Sequence, residues 1–263
     1  MNIQALLNNG FLSEAVNVLQ DYLKQYPRDI EKRDLFQTLL CISGNLERAD
    51  QQLELIAELD PETQIFVHTQ RQLLRAEKSR HECFYEGRLP EFPCGITESL
   101  KFHLDALNTW RNQDNAETPG LLSNAEAARP VIQGKFNNKK FKTFRDIDDL
   151  CAGLFEIYLP GGIYAWLALE QIASITTHPP KKLIDLIWQH VSITTHQGKS
   201  WEAYMPVVYK TTPLSHEKAR LSQMTDWDST RDIVTGSGQR IFLIDNQDVS
   251  QLEISGIIFK DCI

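Results

Sequence analysis

The sequence has little that would anchor it, staple it or arm it with chemistry. Its five cysteines, Cys41, Cys83, Cys94, Cys151 and Cys262, are odd in number and widely scattered, with no CxxC pair. That spacing excludes a disulfide framework and a thiolate zinc site, and fits reduced thiols in the cytoplasm. No run of about 18 apolar residues occurs, so no membrane insertion is expected. The stretch from Met1 to Gly10 lacks a basic start, a long apolar core and a small-residue cleavage site, and does not read as a signal peptide. Basic residues are in deficit: 27 Lys and Arg against 35 Asp and Glu leave a net charge of −8. An acidic chain repels a phosphate backbone, which removes nucleic acid from the expected partners.

Catalytic signatures are also missing. No HExxH order occurs, and His81-Glu82-Cys83 lacks its second histidine. No Ser or Cys stands in a nucleophile-elbow sequence. Gly236-Ser237-Gly238 has neither the GxGxxG order nor a following helix, and reads as a turn leading into a hairpin. The expectation is a chain with no catalytic residue, no cofactor and no metal.

What the sequence does hold is an ordinary globular composition, 42% apolar and 24% charged, over a length that allows two domains with real cores. It also holds a repeat. Gly10, Ala15, Leu19 and Pro27 recur as Gly44, Ala49, Leu53 and Pro61, each displaced by 34 residues. The order resembles the tetratricopeptide repeat. Glycine closes the turn between paired helices, alanine lets them approach, and proline stops the second helix. Apolar spacing predicts helices near 2–9, 12–26, 29–43 and 46–59, a long one from Glu62 to about Phe84, and another at 97–112. Such a stack leaves a concave surface lined by the first helix of each pair. Gln4, Asn8, Asp34, Thr38, His68, Gln72 and Arg75 are the expected partner-facing residues there.

From Val131 the pattern changes to strands. Hairpins are expected at 154–159 with 163–167, at 191–195 with 201–204, and at 240–244 with 252–258. A short helix is expected within Lys181 to Trp188. Together these predict an α+β chain, with a tetratricopeptide-like helical domain over 1–130. A β-rich, antiparallel, barrel-like domain follows over 131–263.

Three polar clusters and a set of tryptophans each have a simpler reading. Asp146, Asp148 and Asp149 could bind a cation or act as acid and base, and so allow a metal-dependent hydrolase as the alternative function. No ion-binding loop follows them, and a solvated turn is the simpler reading. Lys135 to Arg145 interleaves basic and aromatic residues like a single-strand binder, but also suits a strand with Phe141 turned inward. His190 and His196 bracket a strand on one face, where structural roles are favoured. Trp166, Trp188, Trp201 and Trp227 are expected in the core or at a domain interface.

Four phrases then occur in order. They are His178-Pro179-Pro180-Lys181-Lys182-Leu183-Ile184-Asp185-Leu186-Ile187-Trp188, Tyr204-Met205-Pro206-Val207-Val208-Tyr209, Leu221-Ser222-Gln223-Met224-Thr225-Asp226-Trp227 and Gly236-Ser237-Gly238-Gln239-Arg240-Ile241-Phe242-Leu243. They resemble the ImpE family, also called TagJ, accessory proteins of bacterial type VI secretion loci that likewise begin with tetratricopeptide-like helices. The resemblance implies a cytoplasmic, non-catalytic adaptor associated with the contractile sheath. Its implied partner is a helix of the small sheath subunit, in connection with a ClpV-type unfoldase. No catalytic residue carries over. A general tetratricopeptide chaperone adaptor is a further alternative, but it wants a basic groove, and residues 1–60 carry ten acidic and five basic side chains.

Overall fold

Apolar residues at three- and four-residue spacing wind the first part of the chain into helices. In the computed structural model, which describes residues 2–114, 116–212, 215–230 and 232–261, these are α1 (Ile3–Asn8), α2 (Leu12–Gln25), α3 (Ile30–Ile42) and α4 (Leu46–Leu59). Then come α5 (Gln64–Glu86), α6 (Glu98–Arg111) and α7 (Thr118–Ala128). Cys262, the fifth of the expected free thiols, lies outside the described residues. Asn2, Asp29 and Asn45 cap α1, α3 and α4 by accepting backbone N–H groups. Gly10 (φ +83°) and Gly44 (φ +77°) close the α1–α2 and α3–α4 turns in the left-handed region. Ala15, Leu19, Ala49 and Leu53 are fully buried. The 34-residue spacing therefore falls on equivalent places in two helical pairs. α7 went unread in the sequence, because Pro119, Gly120 and Asn124 dilute its periodicity.

β-branched and aromatic runs form the rest. An eight-stranded antiparallel sheet runs in the order β2 (Lys139–Phe141), β1 (Gly134–Phe136), β13 (Gly256–Phe259), β6 (Ile172–Thr177), β7 (Trp188–Thr195), β8 (Ser200–Pro206), β4 (Leu154–Leu159) and β5 (Ile163–Ala168). Two smaller sheets join β3 (Phe144–Asp146) to β11 (Ile241–Ile244) and β12 (Gln247–Ser250), and β9 (Thr225–Asp228) to β10 (Thr235–Gly238). A short helix, α8 (Glu217–Arg220), precedes β9.

The α+β class and the first two hairpins stand. The barrel does not: the large sheet is open, with β2 and β5 as its edges. Closure is unnecessary because both edges are protected by other means. Glu91 pairs along β5, giving its N–H to Tyr164 O and accepting from Trp166 N, both at 3.0 Å. β2 is three residues long and exposes Lys139 and Lys140. The third hairpin also needs correcting. β11 turns back at Asp245 onto β12, while 256–259 joins the large sheet between β1 and β6. β12 carries one buried apolar residue, Val249, too weak a signal to compete with the apolar run after it.

Alternation along β4 and β5 splits the core. Phe155, Ile157, Ala165 and Leu167 join a phenylalanine-rich cluster with Phe141, Phe144, Phe242 and Phe259. Leu154, Tyr158, Tyr164 and Trp166 pack with the helices, in a cluster running from Leu6 to Ile233. The far end of the chain also returns to the first helical pair. Ser13 N donates to Glu217 Oε1 at 3.2 Å, and Gln223 Nε2 donates to Leu7 O at 2.8 Å.

Candidate functional site

Where α5 crosses β4 the chain buries charge. The period of α5 turns Arg80 toward the sheet, and the alternation of β4 turns Glu156 toward the helix. Arg80 Nε and Nη2 donate to the two Glu156 oxygens at 2.7 and 2.9 Å. Arg240 Nη2 donates to the same carboxylate, and Tyr164 OH donates at 2.6 Å while accepting from Trp166 Nε1 at 2.6 Å. Burial pushes the Glu156 carboxyl up, but the two guanidinium charges outweigh it and hold it at about 2.

Arg240 links this hub to the aspartate cluster. Its Nη1 lies 3.4 Å from Asp146 Oδ2, and its guanidinium stands over the Tyr209 ring. Asp146 Oδ1 accepts from Asp148 N at 2.9 Å and from Tyr209 OH at 2.8 Å. Asp148 accepts from Leu150 N and Gly236 N, both at 2.9 Å. Asp149, closer to solvent, pairs with Arg145 and accepts from Val234 N. Burial raises Asp146 to about 6, and burial together with the Asp146 charge raises Asp148 to about 7.

The solvated turn expected here is therefore wrong for Asp146 and Asp148. They are internal acceptors that hold the β3 turn against β10. Three of their four oxygens accept hydrogen bonds from the chain, and the fourth, Asp146 Oδ2, faces the Arg240 guanidinium, where a cation would meet like charge. Nucleophiles fare no better nearby. Burial raises the Cys83 thiol to about 12, and burial together with the Glu156 charge raises the Cys151 thiol well above its ordinary value.

Beside the hub opens a cleft of about 550 Å³, walled by Ile42, Leu46, Ile187, Trp188 and Val208. Glu77 and Lys210 sit on its floor, joined at 2.8 Å, with Tyr158 and Trp188 also donating to Glu77. A second cleft, of about 490 Å³, lies between α1, α2 and α3, lined by Ile3, Leu7, Val18, Tyr22 and Leu35, with Gln4 and Lys32 beside them.

The seven residues expected to face a partner do not form one open row. Gln4 and Asn8 are exposed and bonded to each other at 2.9 Å. Asp34 lies 4.0 Å from Lys182, and Thr38 is buried. His68 contacts Gln72, whose Oε1 accepts from Gly161 N at 2.9 Å, and Arg75 lies against Gly162. The β4–β5 turn thus occupies part of the expected surface.

Among the other clusters, Lys135 to Arg145 is a hairpin followed by β3, turning at Asn137 and Asn138, both with positive φ. Phe141 and Phe144 point inward and the lysines outward. His190 meets Glu202 and His178, whereas His196 falls in the turn beyond β7. Trp166 and Trp188 are core residues, but Trp227 is 41% exposed, lying against the Tyr209 ring. Arg80, Glu156, Arg240 and Glu77 escaped sequence reading because their partners lie 76 to 133 residues away. A lone Glu in the apolar run Leu154 to Leu159 was the one local sign.

Residues 138–258 match the model of the family described as ImpE protein, as the phrases in the sequence suggested. Over 263 aligned residues the chain is 28% identical to the type VI secretion system accessory component TagJ of Pseudomonas aeruginosa, covering 99% of this chain and 92% of that protein. The fold matches the crystal structure of protein VPA1032 from Vibrio parahaemolyticus with a TM-score of 0.93. That match spans 99% of this chain and 98% of the other at 24% identity.

Proposed function

We propose that this chain, similar along 99% of its length to TagJ, is a non-catalytic, cytoplasmic accessory component of a type VI secretion system that holds a helix of the small sheath subunit. The observation that carries the reading is the 28% identity to TagJ, sustained over 99% of the chain. In this reading residues 1–130 are the tetratricopeptide-like docking part, and residues 131–263 are the β-rich part that braces it. A ClpV-type unfoldase acts on the same sheath.

The chemistry of the interior supports a binding role. The Glu156 carboxylate already accepts from Arg80, Arg240 and Tyr164, and burial holds the Cys83 thiol protonated, so neither group is poised for turnover. No helix among the described residues is long and apolar enough to cross a membrane.

The α1–α3 cleft suits the partner helix best. Its floor of buried Leu7 and part-buried Ile3, Val18, Tyr22 and Leu35, with Gln4 and Lys32 at the rim, matches an amphipathic helix that anchors at i, i+3 or i+4, and i+7. The surface further along α5 already carries the chain's own β4–β5 turn.

Fluorescence anisotropy with labelled helical peptides of the small sheath subunit tests this directly. Saturable binding in the micromolar range, weakened at least about tenfold by Leu35→Asp, is the expected result. Absence of binding by every peptide spanning that subunit, at high micromolar concentration, would sink the reading.

A further inference from the structure

β6, β7 and β8 lie side by side, and three ligand-type side chains converge from them on one half-exposed patch. His178 follows β6, and its N–H donates to His190 O at 2.9 Å, setting the two residues abreast. Their imidazoles stack, with centroids 4.4 Å apart and planes within 18°. Glu202 stands opposite Ser192 in the β7–β8 register and reaches across toward both rings. Its Oε2 is 3.0 Å from His190 Nε2 and 3.8 Å from His178 Nε2. Its Oε1 accepts from Ser192 Oγ at 2.7 Å. One donor atom from each of the three residues lies within 4.8 Å of the others.

An ion pair would need one imidazole and one carboxylate. Here a second imidazole is stacked on the first, and both Nε2 edges turn toward the same oxygen. We infer that His178 Nε2, His190 Nε2 and Glu202 Oε2 bind one divalent transition-metal ion of the zinc class. Ser192 Oγ, which also lies 3.3 Å from His178 Nε2, steadies Glu202, and the remaining coordination position is left open.

Two nitrogens and one oxygen suit zinc, cobalt or nickel; calcium and magnesium want more oxygen donors. Zinc bonds of about 2.0–2.2 Å place tetrahedral donors about 3.3 Å apart. The His190–Glu202 distance of 3.0 Å is slightly closer than that and the His178–Glu202 distance of 3.8 Å is wider, and rotation of three surface side chains evens them while the strands stay fixed. The backbone that carries the donors is paired throughout, which is how a rigid element positions a metal site. A bound ion would also pin the start of 179–187, the strap that brings Lys182 to Asp34 and buries Ile184 in the helical core.

The test uses the full chain, stripped with a chelator and titrated with zinc chloride by calorimetry, then with cobalt chloride by visible absorption. One equivalent should bind, cobalt should give a ligand-field band, and saturating zinc should raise the melting temperature. His190→Ala and Glu202→Gln should each weaken binding by at least about tenfold, whereas Cys94→Ser should leave it unchanged. His178→Ala gives a third reading should either variant fail to fold, as judged by circular dichroism. No saturable uptake, or uptake that these substitutions leave intact, overturns the site.

Discussion

The Arg80 guanidinium holds both oxygens of the Glu156 carboxylate, with Nε at 2.7 Å and Nη2 at 2.9 Å, and neither side chain reaches solvent. Helix α5 and strand β4 are therefore joined by a charge pair in a low-dielectric interior. Removing one partner strands the other. Glu156→Gln, which leaves Arg80 and Arg240 facing a neutral amide, should cost about 3–5 kcal/mol in urea denaturation. Arg80→Met should cost a similar amount. Arg80→Met with Glu156→Gln should cost clearly less than the sum of the two, because neither member of the pair is then left facing an unpartnered charge from the other. Additive losses would show that the pair is not coupled.

Asp148 predicts a pH signature of definite sign. Its carboxyl rises from an ordinary value near 4 to about 7 on folding, chiefly through burial and then through the Asp146 charge. The folded state therefore holds its proton more tightly than the unfolded one. Across pH 4 to 7 this term lowers stability as pH rises, by a total on the order of 1–3 kcal/mol. Glu156, held at about 2, works the other way and costs stability only as pH falls below about 4.5. Asp146, raised by burial to about 6, adds to the same decline, so denaturation at pH 5 and 7.5 should show it and Asp148→Asn should make it shallower. An unchanged slope in that variant would assign the effect elsewhere.

Two adjacent glycines in the β4–β5 turn should differ. Gly161 (φ +90°) and Gly162 (φ +77°) are both left-handed, so alanine strains either. A Cβ on Gly161 would meet nothing nearer than 3.8 Å, whereas one on Gly162 would sit 2.8 Å from Gln72 O. Gly161→Ala should cost about 1 kcal/mol and Gly162→Ala about 1–3 kcal/mol more, read by thermal or urea unfolding. Equal losses would mean that the turn lifts freely off α5.

The docking face can be located by contrast. Leu35→Asp should weaken sheath-peptide binding at least about tenfold while lowering the melting temperature only moderately, since Leu35 packs on the core but is part-buried. Gln72→Ala should lower the melting temperature and leave binding intact: it deletes the acceptor of Gly161 N but touches no part of that cleft. The opposite pattern would move the docking face to α5.

What could be read in advance followed the reach of the physics. Helices α1 to α4 came from periodicity and from Gly10 and Gly44, which act within a few residues of themselves. The β4–β5 and β7–β8 hairpins came from turn residues between β-branched runs. Asp146 and Asp148 looked like a surface turn because their burial is imposed by Tyr209, Gly236 and Arg240, over 60 residues onward. The same distance hid the partners of Gln72 and Arg75, which the sequence left facing outward. His178, His190 and Glu202 meet only because β6, β7 and β8 pair in one register, which spacing along the chain does not encode.

The bonds from Glu217 to Ser13 and from Gln223 to Leu7 span 204 and 216 residues. During synthesis the turn of the first helical pair leaves the ribosome more than 200 residues before the segment that covers it. For most of that interval the pair must wait with this flank bare, so ribosome-bound chains halted before residue 217 should be markedly easier for a protease to cut between α1 and α2 than the released protein.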